Sequence, residues 1–256
     1  MANLFDTHAH ILDEKFDEDR DQVIQNIYDH MALVVNIGCS LEDIPKTVEL
    51  AEKYDKIYAA IGLHPEDVNT YTPEGWDMIC TLAKHPKVVG IGECGLDYYW
   101  DTSMKAEQKV LFRQHIDLAC ELKKPIVIHD RDAHGDTLEI LKDSRAKEVG
   151  GILHCFSGSL EMAKELLKLN FYIGIGGPVT FKNAKKTVEI AAQLPLDRIL
   201  IETDCPYMAP APFRGKRNEP MLVEHTARKI AEIRGISYEE LVEATYENGK
   251  RVYNIN

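Results

Sequence analysis

Short apolar runs alternate with amphipathic stretches along almost the whole chain. The runs are residues 4–10, 32–38, 57–62, 88–93, 124–129, 151–154, 171–175 and 198–202, most of them dense in Val, Ile and Leu. Runs of that length and β-branched content predict strands buried on both faces, as in a parallel sheet. Between them the apolar positions recur at helical spacing. Val23, Ile24, Ile27 and Met31 mark a helix over 17–31, and further helices are predicted over 40–54, 73–85, 103–122, 136–147, 159–169 and 183–194. Ser40 is a candidate cap, although Pro45 blurs where its helix starts, and Thr72-Pro73-Glu74 opens the next. Two more helices follow the last strand, over 219–234 and 237–253, the second opened by the capping box Ser237…Glu240.

Eight strand–helix units predict an α/β fold whose parallel strands close into a (β/α)8 TIM barrel. An open doubly wound sheet more often has fewer strands and a Gly-rich first turn, which this chain lacks. Residues 1–256 carry no low-complexity linker and no short repeat, so one domain is expected. The loop of unusual composition is 206–220, rich in Pro, Arg and Lys.

Composition narrows the class. With 45% hydrophobic and 28% charged residues the chain has an ordinary globular balance. No apolar run approaches the roughly 20 residues that span a bilayer, and the N-terminus lacks a secretory pattern. Six cysteines at wide spacing, with no CxxC pair, read as reduced thiols in a cytoplasmic protein. Thirty basic against 42 acidic residues give a formal charge of −12, which argues against broad, non-specific nucleic-acid binding. It leaves room for a small anionic substrate end held by metal ions and a local basic loop.

The chemistry stands at the strand ends. His8 and His10 flank one residue of the first strand, so their side chains emerge on the same face roughly 6.5–7 Å apart along the backbone. Two neutral imidazoles so placed can share a divalent cation. The other strands end in His64, Glu93, His129, His154 and Asp204, and in a barrel these ends surround one mouth, where active sites of the fold lie. Any one of them alone is an ordinary strand-end histidine or surface acid. Four histidines and two carboxylates meeting at one rim, with His64 set aside, form a two-metal inventory.

Several segments carry a wider likeness. Phe5-Asp6-Thr7-His8-Ala9-His10, Gly92-Glu93-Cys94-Gly95-Leu96-Asp97-Tyr98, Pro125-Ile126-Val127-Ile128-His129-Asp130-Arg131, Gly151-Ile152-Leu153-His154-Cys155-Phe156-Ser157-Gly158 and Ile201-Glu202-Thr203-Asp204-Cys205-Pro206 resemble the TatD family of metal-dependent deoxyribonucleases, as does the loop Arg214 to Pro220. The likeness spans residues 3–253, with the motifs in the family's order. It departs at Leu12, where the family usually has Asp or Asn, and at Gly135, near a commonly acidic position; Asp13 and Asp136 follow them. The resemblance implies a barrel hydrolase acting on DNA phosphodiesters, with single-stranded DNA or 3′ ends as partner and 3′–5′ exonuclease action. It implies two divalent ions, one held by His8, His10, Glu93 and Asp204, the other by Glu93, His129 and His154, with Glu93 bridging. Mg²⁺ suits the family's activity, while the histidines suit Zn²⁺, Mn²⁺, Ni²⁺ or Fe²⁺.

Physical chemistry then suggests roles. Two cations about 3.5–4 Å apart stabilise the attacking and leaving oxygens and lower the pKa of a water between them. Asp204 is the expected acceptor of that water's proton, and Glu93 is the expected bridge. His64, Arg131, Arg214 and Arg217 are candidates for substrate contact, with Lys216 in the same basic loop. The bland alternatives are a strand-end histidine bonded to backbone, a salt bridge across the mouth for Arg131, and a solvated charge run for the loop. Tyr98, Tyr99 and Trp100 are candidates for base stacking or for packing their loop. Glu202 reads as orienting a ligand or a loop, and Cys94 and Cys155 as small buried residues. The rival readings are an amidohydrolase or esterase acting on a small metabolite with the same centre, and a non-catalytic, metal-stabilised barrel. No protein partner and no membrane contact can be deduced.

Overall fold

The strands wind into a barrel in strict chain order. In the computed structural model, which describes residues 3–256, they are β1 (Phe5–Ala9), β2 (Leu33–Gly38), β3 (Ile57–Ile61), β4 (Val88–Asp97), β5 (Ile126–Arg131), β6 (Gly151–Leu153), β7 (Phe171–Ile175) and β8 (Ile199–Ile201). Each runs parallel to the next. β8 returns to β1 just beyond its last residue. The Asp204 N–H donates to the His8 carbonyl and the His10 N–H to the Cys205 carbonyl, both at 2.9 Å. The fold is therefore a (β/α)8 barrel, and its seam closes at residues that carry candidate ligands.

Among the described residues the helices are α1 (Arg20–His30), α2 (Asp43–Lys53), α3 (Pro73–Leu82), α4 (Lys105–Leu122), α5 (His134–Lys142), α6 (Leu160–Lys168), α7 (Lys185–Gln193), α8 (Val223–Arg234) and α9 (Tyr238–Tyr253). Side chains start several of them. Thr72 accepts from the Gly75 N–H, Ser159 from that of Met162 and Ser237 from that of Glu240, each satisfying a donor the helix leaves free. Ser40 likewise accepts from the Asp43 N–H.

Two apolar layers hold the barrel. Phe5, Val35, Ala60, Val89, Val127, Ile152, Tyr172 and Leu200, one from each strand, belong to a single buried cluster. Residues from all eight strands of a closed barrel can meet only inside it. Tyr253 and Ile255 join that cluster from the C-terminal end of α9 and plug the bottom, and the Tyr253 hydroxyl donates to the Thr7 carbonyl at 2.9 Å. The larger cluster lies between the strands and the helices. Lys56, Lys87 and Lys124, in the turns before β3, β4 and β5, each reach back one unit and donate to backbone carbonyls at the entrances of β2, β3 and β4. The bottom of the barrel is thus fastened, and the top is left to chemistry.

Candidate metal centre

Glu93 stands in the middle of the barrel mouth. Its Oε1 lies 2.7 Å from Nε2 of His154 and 2.9 Å from Nδ1 of His129. Its Oε2 lies 3.2 Å from Nε2 of His8 and 3.5 Å from Nε2 of His10. Asp204 adds Oδ1 at 3.4 Å from Nε2 of His10 and 3.7 Å from Nε2 of His8. Within each half the nitrogens crowd together, 3.2 Å between His8 and His10 and 3.3 Å between His129 and His154. Five strands thus bring all six expected ligands to one spot.

Local backbone features make this possible. Gly92 has φ +133°, and a Cβ there would fall 2.2 Å from the Val127 carbonyl oxygen, so only glycine lets β4 lie this close to β5 beside Glu93. Asp204 takes φ +56°, a conformation that Asp tolerates better than most residues.

The charges fit a cation-binding cluster. Burial alone would raise the Glu93 pKa, yet the neighbouring His154 and His8, with hydrogen bonds from His129 and His154, hold it well below the usual range. Burial also opposes ionisation of Asp204, and the His10 bond outweighs it and lowers that carboxyl. His8 is pushed down to about 4 by burial and by His154 beside it. His129 rises to about 10 because its bonds to Asp97 and Glu93 overcome burial. Protons and metal ions compete for the same ring nitrogens. Two imidazole nitrogens 3.2 Å apart that also face carboxylates are a donor set that a divalent cation satisfies better than protons do. The residues fit the ions that the sequence implies.

Around this centre lies a cleft of about 710 Å³. His64 borders it, its Nδ1 accepting from the Glu66 N–H and its Nε2 3.5 Å from Glu93 Oε1. Arg131 and Trp100 also line it. The Arg131 guanidinium lies 4.0 Å from the Tyr99 ring centre and 5.3 Å from that of Trp100, and Trp100 is 65% exposed. Tyr98 belongs to the scaffold: its hydroxyl donates to Asp136 and Lys105 lies over its ring.

The basic loop is placed differently. Arg217 pairs with Asp19 and Glu219 and donates to the Lys15 carbonyl. Arg214 lies over the Phe181 ring and Lys216 over that of Phe213. None of the three lines the cleft. Their cations are spent on neighbouring acids and rings, which is the ordinary fate of a surface charge run.

A match to the family model described as TatD related DNase extends over residues 5–254. The chain belongs to the TatD family. A TatD-family relative from Bacillus subtilis (strain 168), named uncharacterized metal-dependent hydrolase YabD, is 51% identical over 254 residues, covering 99% of this chain and 100% of its own. One from Cronobacter sakazakii, named 3′-5′ ssDNA/RNA exonuclease TatD, is 36% identical and covers 98% of this chain and 97% of its own. The crystal structure of YjjV, a TatD homolog from Escherichia coli K12, superposes with a TM-score of 0.93 at 29% identity, covering 99% of this chain and 98% of that one. This chain is accordingly a metal-dependent hydrolase of the TatD type. No helix among its described residues is long and apolar enough to cross a membrane.

Three residues that sequence reasoning left without a role belong to the site's surroundings. Asp97 sits four residues beyond Glu93 on the same strand and faces Nε2 of His129 at 2.9 Å. The apolar pattern stops at Glu93, while β4 itself runs on to Asp97. Asp6 is buried on β1 and accepts from the N–H groups of His8 and Thr203 and from the Thr203 hydroxyl, tying β1 to the segment after β8. An acid in the middle of an apolar strand is its signal. Cys39, at the end of β2, has its sulfur within 4.8 Å of a His10 nitrogen and a Glu93 oxygen.

Proposed function

We propose that this chain is a deoxyribonuclease that removes nucleotides from the 3′ end of single-stranded DNA with two divalent cations. One observation carries the reading: the two oxygens of Glu93 face two separate histidine pairs, Oε1 toward His129 and His154 and Oε2 toward His8 and His10. That is the arrangement of a carboxylate shared between two ions. His8, His10 and Asp204 would complete one site, and His129 and His154 the other.

When bound, the pair of cations supplies charge stabilisation at the phosphoryl group and lowers the pKa of water at neutral pH. The protein's own groups do the rest. Asp204, kept ionised beside His10, accepts the proton of the attacking water. His64 accepts at Nδ1, so its Nε2 carries a hydrogen directed into the cleft and can donate to a phosphate oxygen. Arg131 is held face-on by Tyr99, which leaves its edge for the neighbouring phosphate, and Trp100 offers a stacking face to a terminal base. A cleft of about 710 Å³ suits one or two nucleotides rather than a duplex, in keeping with action at chain ends. The nuclease name of the Cronobacter relative supports the same polarity. Mg²⁺ suits the reaction, while the four histidines with Cys39 close by favour a transition metal such as Zn²⁺, Mn²⁺, Ni²⁺ or Fe²⁺.

A second reading, hydrolysis of a small ester or amide, draws on the same cleft. Asp13, Asp43, Glu66 and Asp67 line it, and Arg131 is the one Lys or Arg among its described lining residues. A wall that acidic repels a polyanion and tolerates a small neutral or cationic molecule.

Nucleotide release from a labelled single-stranded oligonucleotide separates the two. The nuclease reading expects metal-dependent release from the 3′ end, abolished by chelator and reduced about 10²-fold or more in Asp204→Asn. No cleavage by folded, metal-loaded protein removes it and leaves small esters and amides.

A further inference from the structure

Beneath the ligands lies a buried cluster of polar groups that the reaction does not use. The His8 and His154 rings stack with centroids 3.9 Å apart and planes within 8° of parallel. Their Nε2 atoms face Glu93, and their Nδ1 atoms, which point away from it, have neither a hydrogen-bond partner nor access to solvent. Glu202 lies beside them, fully buried, with its Oε2 equally without a partner. A ring nitrogen of each histidine and a carboxylate oxygen of Glu202 lie within 4.8 Å of one another, and His154 Nδ1 is 4.0 Å from Glu202 Oε1.

The carboxylate is held there by the fold. Oε1 accepts from the Cys155 N–H, and a Cβ at Gly174 would fall 2.4 Å from Oε2, so glycine on β7 makes the room that Glu202 occupies. His154 Nδ1 is 4.0 Å from the carboxylate, too far for a direct bond, and leaving three buried polar atoms unsatisfied is costly. A water bonded to about three partners is how such a space is ordinarily completed.

We infer that Glu202 is a positioning residue for both metal sites at once: through one enclosed water it accepts from the Nδ1–H groups of His8 and His154. Those hydrogens fix both rings in the tautomer whose Nε2 lone pair faces the cations. His8 serves one ion and His154 the other, so a single carboxylate presets both halves of the centre. Stacking then keeps the two rings in register. The inference rests on the two-ion reading above.

The test is Co²⁺ and Zn²⁺ titration, by calorimetry and metal analysis, of wild type, Glu202→Gln, His8→Ala and His154→Ala, with far-ultraviolet circular dichroism in chelator to establish folding. Glu202→Gln keeps the shape and loses the charge. The expected result is a loss of about 10–100-fold in affinity at both sites together, whereas each histidine variant loses one ion. Two ions in wild type with Glu202→Gln binding both as tightly, or weakened at one only, overturns the inference and leaves the two-ion reading standing. Fewer than two ions in wild type overturns the two-ion reading itself. Nitrogen-15 spectra of Zn²⁺-loaded wild type add a readout that needs no variant. Slowly exchanging Nδ1–H signals for both His8 and His154 support the inference, and an Nε2–H tautomer at either sinks it.

Discussion

Nε2 of His129 lies 2.9 Å from Oδ2 of Asp97. Because Asp97 accepts at that nitrogen, the ring turns Nδ1 toward Glu93, 2.9 Å from Oε1, and so presents the opposite nitrogen from the one His154 uses. Asp97 is well suited to the task. Burial opposes its ionisation, but the His129 bond and the N–H groups of Tyr99 and Trp100 bring its pKa to about 2. Asp97→Asn should weaken the ion held by His129 and His154 by about 10–100-fold and leave the other nearly unchanged. Metal titration reads this directly, and an equal loss at both sites would contradict the assignment.

Arg131 and Trp100 should act on binding and not on the chemical step. Trp100→Ala is expected to raise KM for a single-stranded oligonucleotide by about 5- to 150-fold, since a stacked base is worth about 1–3 kcal/mol, and Arg131→Ala should raise it too, with kcat little changed in either. Arg217→Ala, outside the cleft and paired with Asp19 and Glu219, should leave KM unaltered. A rise in KM for Arg217→Ala instead would return the basic loop to the substrate path.

The fold was largely legible because its signal is repetitive. Eight apolar runs with helical spacing between them leave few topologies. The cluster at the barrel mouth was legible because each of its residues ends a run. What escaped were contacts made by long-range register. Asp97 faces His129 because β4 continues beyond Glu93, pairing Gly95 with His129 and Asp97 with Arg131, and the apolar pattern gives no sign of that continuation. The start of α1 moved from 17 to Arg20 because Asp13 caps a short 3-10 turn over Glu14–Phe16 that takes up the intervening residues. The helix expected from 219 begins at Val223 for a similar reason, a 3-10 turn opened by Pro220. Arg214 and Arg217 fit a phosphate grip by composition alone. Their partners Phe181 and Asp19 are remote in sequence, and only the folded chain brings them near.

His115 gives the protein an acid sensitivity separate from its proposed metal ligands. It is buried on α4, where its Nε2 accepts from the Leu63 N–H at 3.0 Å and its Nδ1–H donates to the Leu111 carbonyl at 2.8 Å. Burial lowers its pKa from 6.5 to about 4, so folding favours the neutral ring. The stability this contributes is fully present above about pH 6.5 and is lost as the pH falls toward 4, up to roughly 3 kcal/mol. Urea unfolding between pH 8 and 4 should show the decline, and His115→Gln should flatten it. An unchanged slope in the variant would remove His115 as its source.

Tyr253 joins the far end of α9 to the strand that carries His8. Tyr253→Phe removes one buried hydrogen bond to the Thr7 carbonyl and should cost about 1–3 kcal/mol. Tyr253→Ala opens a hole in the barrel floor and should cost about 3–5 kcal/mol. Equal denaturation midpoints for the two variants would mean that the ring's packing contributes nothing.

The seam between β8 and β1 is closed by backbone bonds from Asp204 and His10, which are also two of the proposed metal ligands. An ion held there would add a second tie across an edge closed by few backbone bonds, so that occupancy and closure would be thermodynamically linked. Amide hydrogens at Asp204 and His10 should therefore exchange with solvent at a rate set by free metal concentration, while those between β2 and β3 ignore it. Scarce metal would then loosen one edge of the barrel and spare the rest of the wall.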